Sequence, residues 1–236
     1  MKFKSPLTRG TLIKRYKRFL ADVELDDGRI IIAHCANSGS MMGVKEPGST
    51  VWLAPNLNPK AKLDWRWELL EVDGRLVGIN THHPNHIVEE AILDEQVPEL
   101  TGYAGLRREV KYGQNSRIDI LLENPHASDQ SRLCYVEVKN VTLRQNGRAE
   151  FPDAVTARGT KHLRELAEMK REGHRAVMFY LINRMDCDSF SLAREIDPAY
   201  ATAFGKAMDA GVEALAYACL LTTKAIRVER KIPIEY

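Results

Sequence analysis

Residues 133–140 read LCYVEVKN, and their apolar side chains fall at every second position. This period of two, rich in Val and Tyr, predicts a β-strand that buries one face. Side chains two apart on a strand share a face at a spacing of about 6.5 Å, so Glu137 and Lys139 are expected side by side on a rigid element. A carboxylate and an ammonium in that arrangement can hold a hard cation and a water on one phosphate.

The alternative interpretation of this pair is a surface glutamate beside a surface lysine, as in most Glu-x-Lys triplets. The chain offers a comparison at Glu168-Met169-Lys170. That triplet lies in a helical pattern, where residues two apart point in different directions, so we predict no chemistry for it. The strand, and a further acidic residue beside it, distinguish the first triplet from the second.

Length and composition are typical of a globular protein. The 236 residues suffice for one large domain or two small ones, and 44% hydrophobic with 28% charged residues is ordinary for a soluble chain. No run of about 18 apolar residues occurs, and the first residues lack the apolar region of a signal peptide. We therefore expect a cytoplasmic protein without a membrane partner. The four cysteines are scattered without a Cys-x-x-Cys motif, which favours reduced, packed thiols over disulfides or zinc ligands.

Charge is unevenly distributed along the chain. Residues 1–20 contain seven Lys or Arg and no acid, and residues 1–83 hold 13 basic and 9 acidic side chains, a net +4. Residues 84–236 hold 21 basic and 23 acidic side chains, a net −2. A basic front favours a polyanionic partner for this half, although a solvated basic face would give the same count.

Residues 7–80 show short strand patterns separated by turn signals. Strands are predicted at 11–20, 29–34, 50–53, 65–72 and 75–80, with turns at 26–28, 47–48 and 73–74. About five short strands in some 80 residues favour a small all-β barrel, and the OB-fold, which commonly binds nucleic acid on one sheet face, fits that size. The candidate nucleic-acid contacts of the first strand are Lys14, Tyr16 and Arg18 on one face and Arg15 and Lys17 on the other. Equally, Tyr16 can belong to the core, with the basic residues forming a solvated edge.

The polar segment 81–86, THHPNH, marks the predicted boundary between a domain at 1–83 and a domain at 84–236. Its three histidines lack the partner spacing of a zinc site. The predicted elements beyond it are a helix at 85–96 with Asn85 as N-cap, strands at 106–112, 116–123 and 132–143, a helix at 154–172, a buried strand at 174–182, a helix at 198–210, and strands at 212–221 and 225–234. This order predicts an α/β or α+β sandwich around a mixed sheet.

One acidic residue is enclosed by aliphatic side chains on the second of these strands. Asp119, within RIDILL at 117–122, is costly to bury without a partner or a cation. It precedes Glu137 by 18 residues across a hairpin-length loop, and facing side chains of adjacent strands lie about 5 Å apart. Two carboxylates at that range repel, so the set predicts Mg²⁺ or Mn²⁺ against a phosphate oxygen, with Lys139 stabilising charge. The alternative is a structural ion pair between Asp119 and Arg117 or Lys139.

Two resemblances rest on these residues. Asp119 followed by Glu137-Val138-Lys139 on an αβββαβ order resembles the PD-(D/E)xK nuclease-like fold, although Ile118 stands where that motif has proline. The chain as a whole is similar to the sugar fermentation stimulation proteins, the SfsA family. The matching stretches are LIKRYKRFLAD (12–22), SRID (116–119), YVEVKNVTL (135–143), FPDAVT (151–156), RGTKHLREL (158–166) and GVEALAY (211–217).

The resemblance implies an OB-like domain, a nuclease-like domain, and a DNA-binding protein of low sequence specificity linked to the regulation of sugar, notably maltose, metabolism. Carried over residue by residue, the helix acid of the superfamily falls on Glu90, the metal acids on Asp119 and Glu137, and the lysine on Lys139. Contacts with DNA are assigned to Arg117 and to the helix residues Thr156, Arg158, Lys161 and His162. Cleavage of DNA and non-cleaving regulation both stay open, as do a homodimer and a barrel that senses a nucleotide or a sugar phosphate.

Overall fold

The computed structural model of the chain describes residues 1–128 and 132–236. Within residues 1–80, all of them described, the strands are β1 (Thr8–Tyr16), β2 (Leu20–Leu25), β3 (Ile30–His34), β4 (Thr50–Pro55), β5 (Trp65–Val72) and β6 (Arg75–Gly78). They form one sheet in the order β3-β2-β1-β4-β5-β6, and a parallel pairing of β3 with β5 closes β1–β5 into a barrel. Alternate side chains such as Leu12, Val23 and Trp67 fill its core. The predicted OB-like barrel is confirmed.

The first predicted strand, 11–20, is wrong in its extent. β1 ends at Tyr16, and Lys17 and Arg18 have φ values of 45° and 67°, which are those of a tight hairpin turn. Arg18 therefore does not share the face of Lys14 and Tyr16. The turn was missed because its two central residues are basic, without the Gly, Asn or Asp that usually accompanies positive φ.

The second unit contains a mixed sheet. Its elements are α1 (Pro84–Leu93), a 3₁₀ turn (Pro98–Leu100), β7 (Gly105–Tyr112), β8 (Ser116–Glu123), β9 (Leu133–Val141), β10 (Leu143–Gln145), β11 (Arg148–Phe151), α2 (Ala157–Arg171), β12 (Arg175–Ile182), β13 (Phe190–Leu192), α3 (Pro198–Asp209), β14 (Glu213–Leu221), β15 (Ile226–Lys231) and β16 (Ile234–Glu235). The main sheet has the order β15-β14-β12-β9-β8-β7. The neighbouring pairs β9–β12 and β12–β14 are parallel, and the pairs β7–β8, β8–β9 and β14–β15 are antiparallel, so the predicted mixed sheet is confirmed.

Helices cover both faces of this sheet. α2 and α3 pack on one face through residues such as Leu163 and Phe204, and α1 packs on the other through Ile87 and Val88. The apolar run of β12 is buried on both faces, as expected for a central strand. Four short strands, β10, β11, β13 and β16, form a separate small sheet that the sequence analysis did not predict.

The start of α1 differs from the prediction. His83 occupies the N-cap position and Pro84 is the first helical residue, a position that the fixed φ of proline favours. Asn85 is therefore not the N-cap but lies inside the first turn of the helix. Its side chain is thus available for a contact elsewhere.

The two units are joined along β6. Val77 forms a bridge with Arg184, and the Gly78 amide donates to the Asn183 carbonyl at 2.8 Å. A Cβ at Gly78 would lie 2.3 Å from the Asn183 side chain, so only glycine fits this close approach.

The cysteines lie in the interior of the protein. All four are free and buried, as expected for packed thiols. None of the helices in the described part of the chain is long and apolar enough to cross a membrane.

Candidate metal centre

The β8–β9 strand pair brings the two predicted metal acids near each other. The β8–β9 ladder extends as far as the pair Ile120–Val136. Just beyond that pair, the Val138 backbone amide donates to the Asp119 side chain, so the Asp119 carboxylate lies against the β9 residue that follows Glu137. Lys139, two residues beyond Glu137, lies with it on the side of β9 that α2 covers, where both contact His162. The structure thus gathers the three residues of the acid–acid–lysine set at the end of one strand pair.

Asp119 is fixed through both of its oxygens. The Val138 amide donates to Oδ2 at 2.8 Å, and the Asn85 side-chain amide donates to Oδ1 at 2.8 Å. No ion pair of Asp119 with Arg117 or Lys139 occurs within the described residues, so the structural-pair alternative is not what the side chains form. Two neutral donors therefore orient this carboxylate.

Glu137 is buried, and its two oxygens differ. Oε1 accepts from Lys139 Nζ at 2.6 Å and contacts His162 Nδ1, whereas Oε2 is buried without a hydrogen-bond partner in residues 1–128 and 132–236. His162 Nε2 accepts from Arg158 Nε at 3.3 Å, which assigns the imidazole proton to Nδ1, facing Glu137. His162 and Lys139 thus hold one oxygen and leave the other available.

The two acids have different ionisation properties. Burial, reinforced by the charge of Glu137, raises the pKa of Asp119 to about 6. Burial also opposes ionisation of Glu137, but Lys139 and His162 outweigh it and lower the pKa of that carboxyl. The raised pKa of Asp119 beside the charged Glu137 is typical of a cation-binding site, because a bound cation would neutralise both carboxylates.

These donors fit a hard divalent cation. An unpartnered buried carboxylate oxygen beside a second carboxylate offers the oxygen ligands that Mg²⁺ and Mn²⁺ prefer. In the described part of the chain, no three or more His, Cys, Asp or Glu side chains are grouped so that they could hold a metal ion. Mg²⁺ is commonly held by one or two carboxylates, with waters and substrate phosphates completing its shell, and the two acids match that pattern.

The helix acid assigned by resemblance makes other contacts. Glu90 pairs with the Met1 amino group and, at 3.4 Å, with His86 Nε2. Glu89 instead faces Arg108 of β7 at 3.2 Å. The α1 residue that the structure brings to Asp119 is Asn85, which the sequence analysis assigned only a capping role. Asn85 lies one helical turn before Glu89 on the same face of α1, and this spacing is the sequence signal that could have placed Asn85 towards the sheet.

The candidate DNA contacts around α2 are partly engaged within the protein. Thr156 Oγ1 caps the helix by accepting from the Gly159 amide at 3.0 Å. Lys161 Nζ donates to the Gln114 carbonyl at 2.7 Å, and His162 lies under Glu137. Arg117 is exposed and lies on the same side of β8 as Asp119, and Arg158 is exposed at the start of α2.

The basic residues of the barrel divide into two groups. Lys14 lies 3.5 Å from Asp22 and stands over the Tyr16 ring, 5.4 Å from its centroid. Arg15 Nη2 donates to the carbonyls of a barrel loop, whereas Lys17 and Arg18 are exposed at the β1–β2 turn. The exposed turn, together with the exposed side chain of Lys14, is open to a polyanion.

Comparison with known proteins agrees with this architecture, in which an OB barrel precedes a mixed-sheet domain. The profile "SfsA N-terminal OB domain" matches residues 13–79, and the profile "Sugar fermentation stimulation protein RE domain" matches residues 82–225. The chain belongs to the sugar fermentation stimulation protein family.

Individual relatives cover the whole chain. A sugar fermentation stimulation protein homolog of Rhodospirillum centenum is 58% identical over 98% of both chains, and one of Ruegeria sp. is 54% identical over 99% of this chain and 100% of its own. A structure described as Pyrococcus furiosus SfsA in complex with Ca²⁺ superposes with a TM-score of 0.89 at 28% identity, covering 100% of this chain and 98% of the other.

Proposed function

We propose that this protein binds DNA with little sequence preference and cleaves phosphodiester bonds with Mg²⁺ or Mn²⁺ held by Asp119 and Glu137. The observation that carries the proposal is the buried, unpartnered Oε2 of Glu137, with the carboxylate of Asp119 close enough for the two charges to interact. A buried polar atom without a partner costs about 1–3 kcal/mol, and a charged one costs more. We therefore expect this oxygen to bind a ligand. The Ca²⁺ named with the Pyrococcus furiosus relative supports a divalent cation.

Each residue of the centre has a separate role. A bound cation would polarise a phosphate oxygen and lower the pKa of a water. Asn85 orients Asp119, and His162 orients Glu137, so that both carboxylates keep a fixed direction. Lys139 Nζ carries the positive charge that stabilises the developing negative charge on the phosphate. Glu90 is given no catalytic role, because its contacts are with Met1 and His86.

The DNA contacts proposed are mainly to phosphates. Arg117 and Arg158 lie beside the centre, and Lys17 and Arg18 project from the barrel turn. Cations of this kind fix DNA by its backbone, which carries no sequence information by itself. Low sequence specificity follows from this kind of binding, and the proposed location is the cytoplasm, where bacterial DNA is accessible.

A second candidate is a regulator of sugar, notably maltose, metabolism that binds DNA without cleaving it. Lys139 Nζ is already paired with Glu137 Oε1 at 2.6 Å. Such a contact would also stabilise a centre that has no catalytic use, because it neutralises the buried carboxylate without any cation.

Plasmid nicking separates the two candidates. The protein is incubated with supercoiled DNA in EDTA, Mg²⁺ or Mn²⁺, alongside Asp119→Asn and, as a matched control, Glu168→Gln in the exposed helical Glu-x-Lys triplet. We expect nicking with metal by the wild type and the control and none by D119N, with DNA binding in EDTA equal in all three. Binding without nicking at any metal supports the regulator, and absence of binding contradicts both.

A further inference from the structure

A cleft of about 200 Å³ lies between the barrel and the mixed-sheet domain. Its barrel wall is the loop 37–39 with Thr81, and its other wall is formed by residues 140–143 and 150–153. Asn140 in this second wall follows Lys139 directly on β9, so the interdomain cleft adjoins the strand that carries the candidate metal centre. Neither the centre nor the basic barrel turn uses these residues.

The barrel wall of the interdomain cleft is rigidly built. Arg15 Nη2 donates to the carbonyls of Asn37 and Gly39 at 2.9 and 3.2 Å. A Cβ at Gly39 would lie 3.0 Å from Asp153 Oδ2 and 3.1 Å from Asn37 Oδ1, so the loop passes close to the opposite wall. Asp153 Oδ2 in turn accepts from the Met41 amide at 2.9 Å. Arg15 thus shapes this wall rather than pointing to solvent.

The lining offers both donors and acceptors. Asn140 Oδ1 accepts from Asn183 Nδ2 at 3.1 Å, and no group in the described chain accepts from the Asn140 amide nitrogen. Glu150, which is 6% exposed, contributes a carboxylate whose Oε1 accepts from Arg148 Nε at 3.2 Å, and the carboxylate of Asp153 is half-buried. Thr142, which is 7% exposed, contributes a hydroxyl. The remaining hydrogen-bonding capacity of these groups can be used by a polar ring.

The charge and the size of the interdomain cleft limit which ligands it can bind. Two carboxylates disfavour a phosphate, so the interdomain cleft is not a site for the DNA backbone. Its volume is below the roughly 300–1,000 Å³ of pockets for drug-sized ligands, and it suits a single ring. A nucleobase has amino donors for the carboxylates and ring acceptors for an amide.

We propose that the interdomain cleft receives one unpaired base of the bound DNA, with preference for a base that carries an exocyclic amino group. This inference rests on the proposed DNA binding and names its substrate class: DNA with an extrahelical or single-stranded nucleotide. A base leaves the stack most readily where it is mismatched or unpaired. The two walls belong to different units, so a base between them would fix the DNA relative to the metal centre.

The test measures binding in EDTA, so that cleavage does not enter. Fluorescence anisotropy compares a duplex carrying one bulged adenine with the same duplex carrying an abasic residue at that position. We expect about tenfold tighter binding of the bulged adenine, a typical worth for stacking and hydrogen bonding of one base. Ser38→Phe, which fills the cleft, is expected to abolish this ratio while leaving the affinity for fully paired DNA unchanged. Ser40→Phe, two residues further along the same loop, is the matched control and keeps the ratio.

Equal binding of the two duplexes by the wild type, with ordinary affinity for DNA, overturns the base site and leaves the proposed function intact. Absence of binding to every duplex overturns both. A thermal shift with a panel of free hexoses that disappears in S38F but not in S40F, without discrimination between base and abasic DNA, assigns the cleft to a sugar instead and also overturns the proposal.

Discussion

Asp119 is a residue whose ionisation is opposed by folding. Burial and the charge of Glu137 raise its pKa to about 6, even though Lys139, Val138 and Asn85 favour the charged form. At neutral pH the folded chain therefore carries a carboxylate that would ionise more easily when unfolded. A divalent cation would remove this penalty, because it attracts both carboxylates at once.

Replacement of Asp119 by Asn is expected to stabilise the metal-free protein. At pH 7.5 in EDTA, D119N should raise the free energy of unfolding by on the order of 1–3 kcal/mol, since the raised pKa makes ionisation cost stability above it. The gain should shrink as pH falls from about 6 towards 4, where Asp119 is protonated in both states. Asn85 can rotate its amide to keep a hydrogen bond with the new side chain.

Urea denaturation at several pH values checks this expectation. Glu168→Gln serves as a control that removes an exposed carboxylate and should leave stability unchanged. A D119N variant that is less stable than the wild type at pH 7.5, in EDTA, would show that the carboxylate is a structural partner and not a cation ligand.

Replacement of His162 tests whether its imidazole holds Glu137 in place as a metal ligand. His162→Gln removes the imidazole that contacts Glu137 Oε1, and loss of such an outer partner typically weakens metal activation 10- to 100-fold. The Mn²⁺ concentration that gives half-maximal nicking should rise by about that factor, with the maximal rate less affected. An unchanged metal dependence in a folded H162Q variant would remove His162 from the centre.

At this scale the sequence predicted that Asp119, Glu137 and Lys139 lie near one another, but it added Glu90, which pairs with Met1 and His86, and it did not predict the supporting residues. Asp119, Glu137 and Lys139 were found because strand spacing alone brings them together. His162 was assigned to DNA, and Asn85 to a helix cap, because their actual partners depend on how α2 and α1 dock against the sheet. No local pattern encodes that docking.

Among the secondary-structure elements, α1 links the barrel to the metal centre. Glu68 on β5 is buried and accepts from Asn80 Nδ2 at 2.9 Å and His83 Nε2 at 2.7 Å. His83 is the N-cap residue of α1, and Asn85, two residues on, orients Asp119. A continuous set of hydrogen bonds therefore fixes the first turn of α1 from the barrel side.

Glu68→Gln is expected to loosen this first turn. Loss of a buried, charge-assisted hydrogen bond costs about 1–3 kcal/mol in free energy of unfolding, and the nicking rate should fall because Asn85 no longer holds Asp119 firmly. Hydrogen exchange of the amides at the start of α1 measures the loosening. Glu71→Gln, on the same strand and half-exposed, is the control; equal exchange and rate in both variants would contradict the link.

Element prediction succeeded where the pattern was long and failed where it was short. The eight-residue run of β12 and the strand β5 were located correctly because many side chains share one period. The strands β10 and β13 have three residues each, too few to show a period of two. The turn at Lys17 was hidden because basic residues continue the alternation through it.

For the molecule as a whole, the uneven charge bears on the proposed binding of DNA. The net +4 of residues 1–83 against −2 for residues 84–236 directs a polyanion to the barrel first. The exposed β1–β2 turn offers Lys17 and Arg18 as the outermost contacts. In the proposed function, a cation would have to neutralise Asp119 and Glu137 before a phosphate could approach them.

The double variant Lys17→Ala/Arg18→Ala is expected to weaken DNA binding mainly at low salt. Two lost phosphate contacts should reduce the slope of log affinity against log salt by about 2, as measured by anisotropy in EDTA. Lys60→Ala/Lys62→Ala removes the same charge from another barrel loop and should change the slope less. Equal slopes for the two double variants would contradict a specific role for the turn.

The four buried cysteines can report the unfolding of each half of the chain through their reaction with an alkylating reagent. Cys35 lies in the barrel core, whereas Cys134, Cys187 and Cys219 lie in the other unit. Burial raises the pKa of Cys134 to about 12 and that of Cys187 to about 11, so an alkylating reagent at pH 8 finds almost no thiolate until a core is exposed. The order in which peptides become alkylated under increasing urea will therefore tell which half yields first, without any introduced probe.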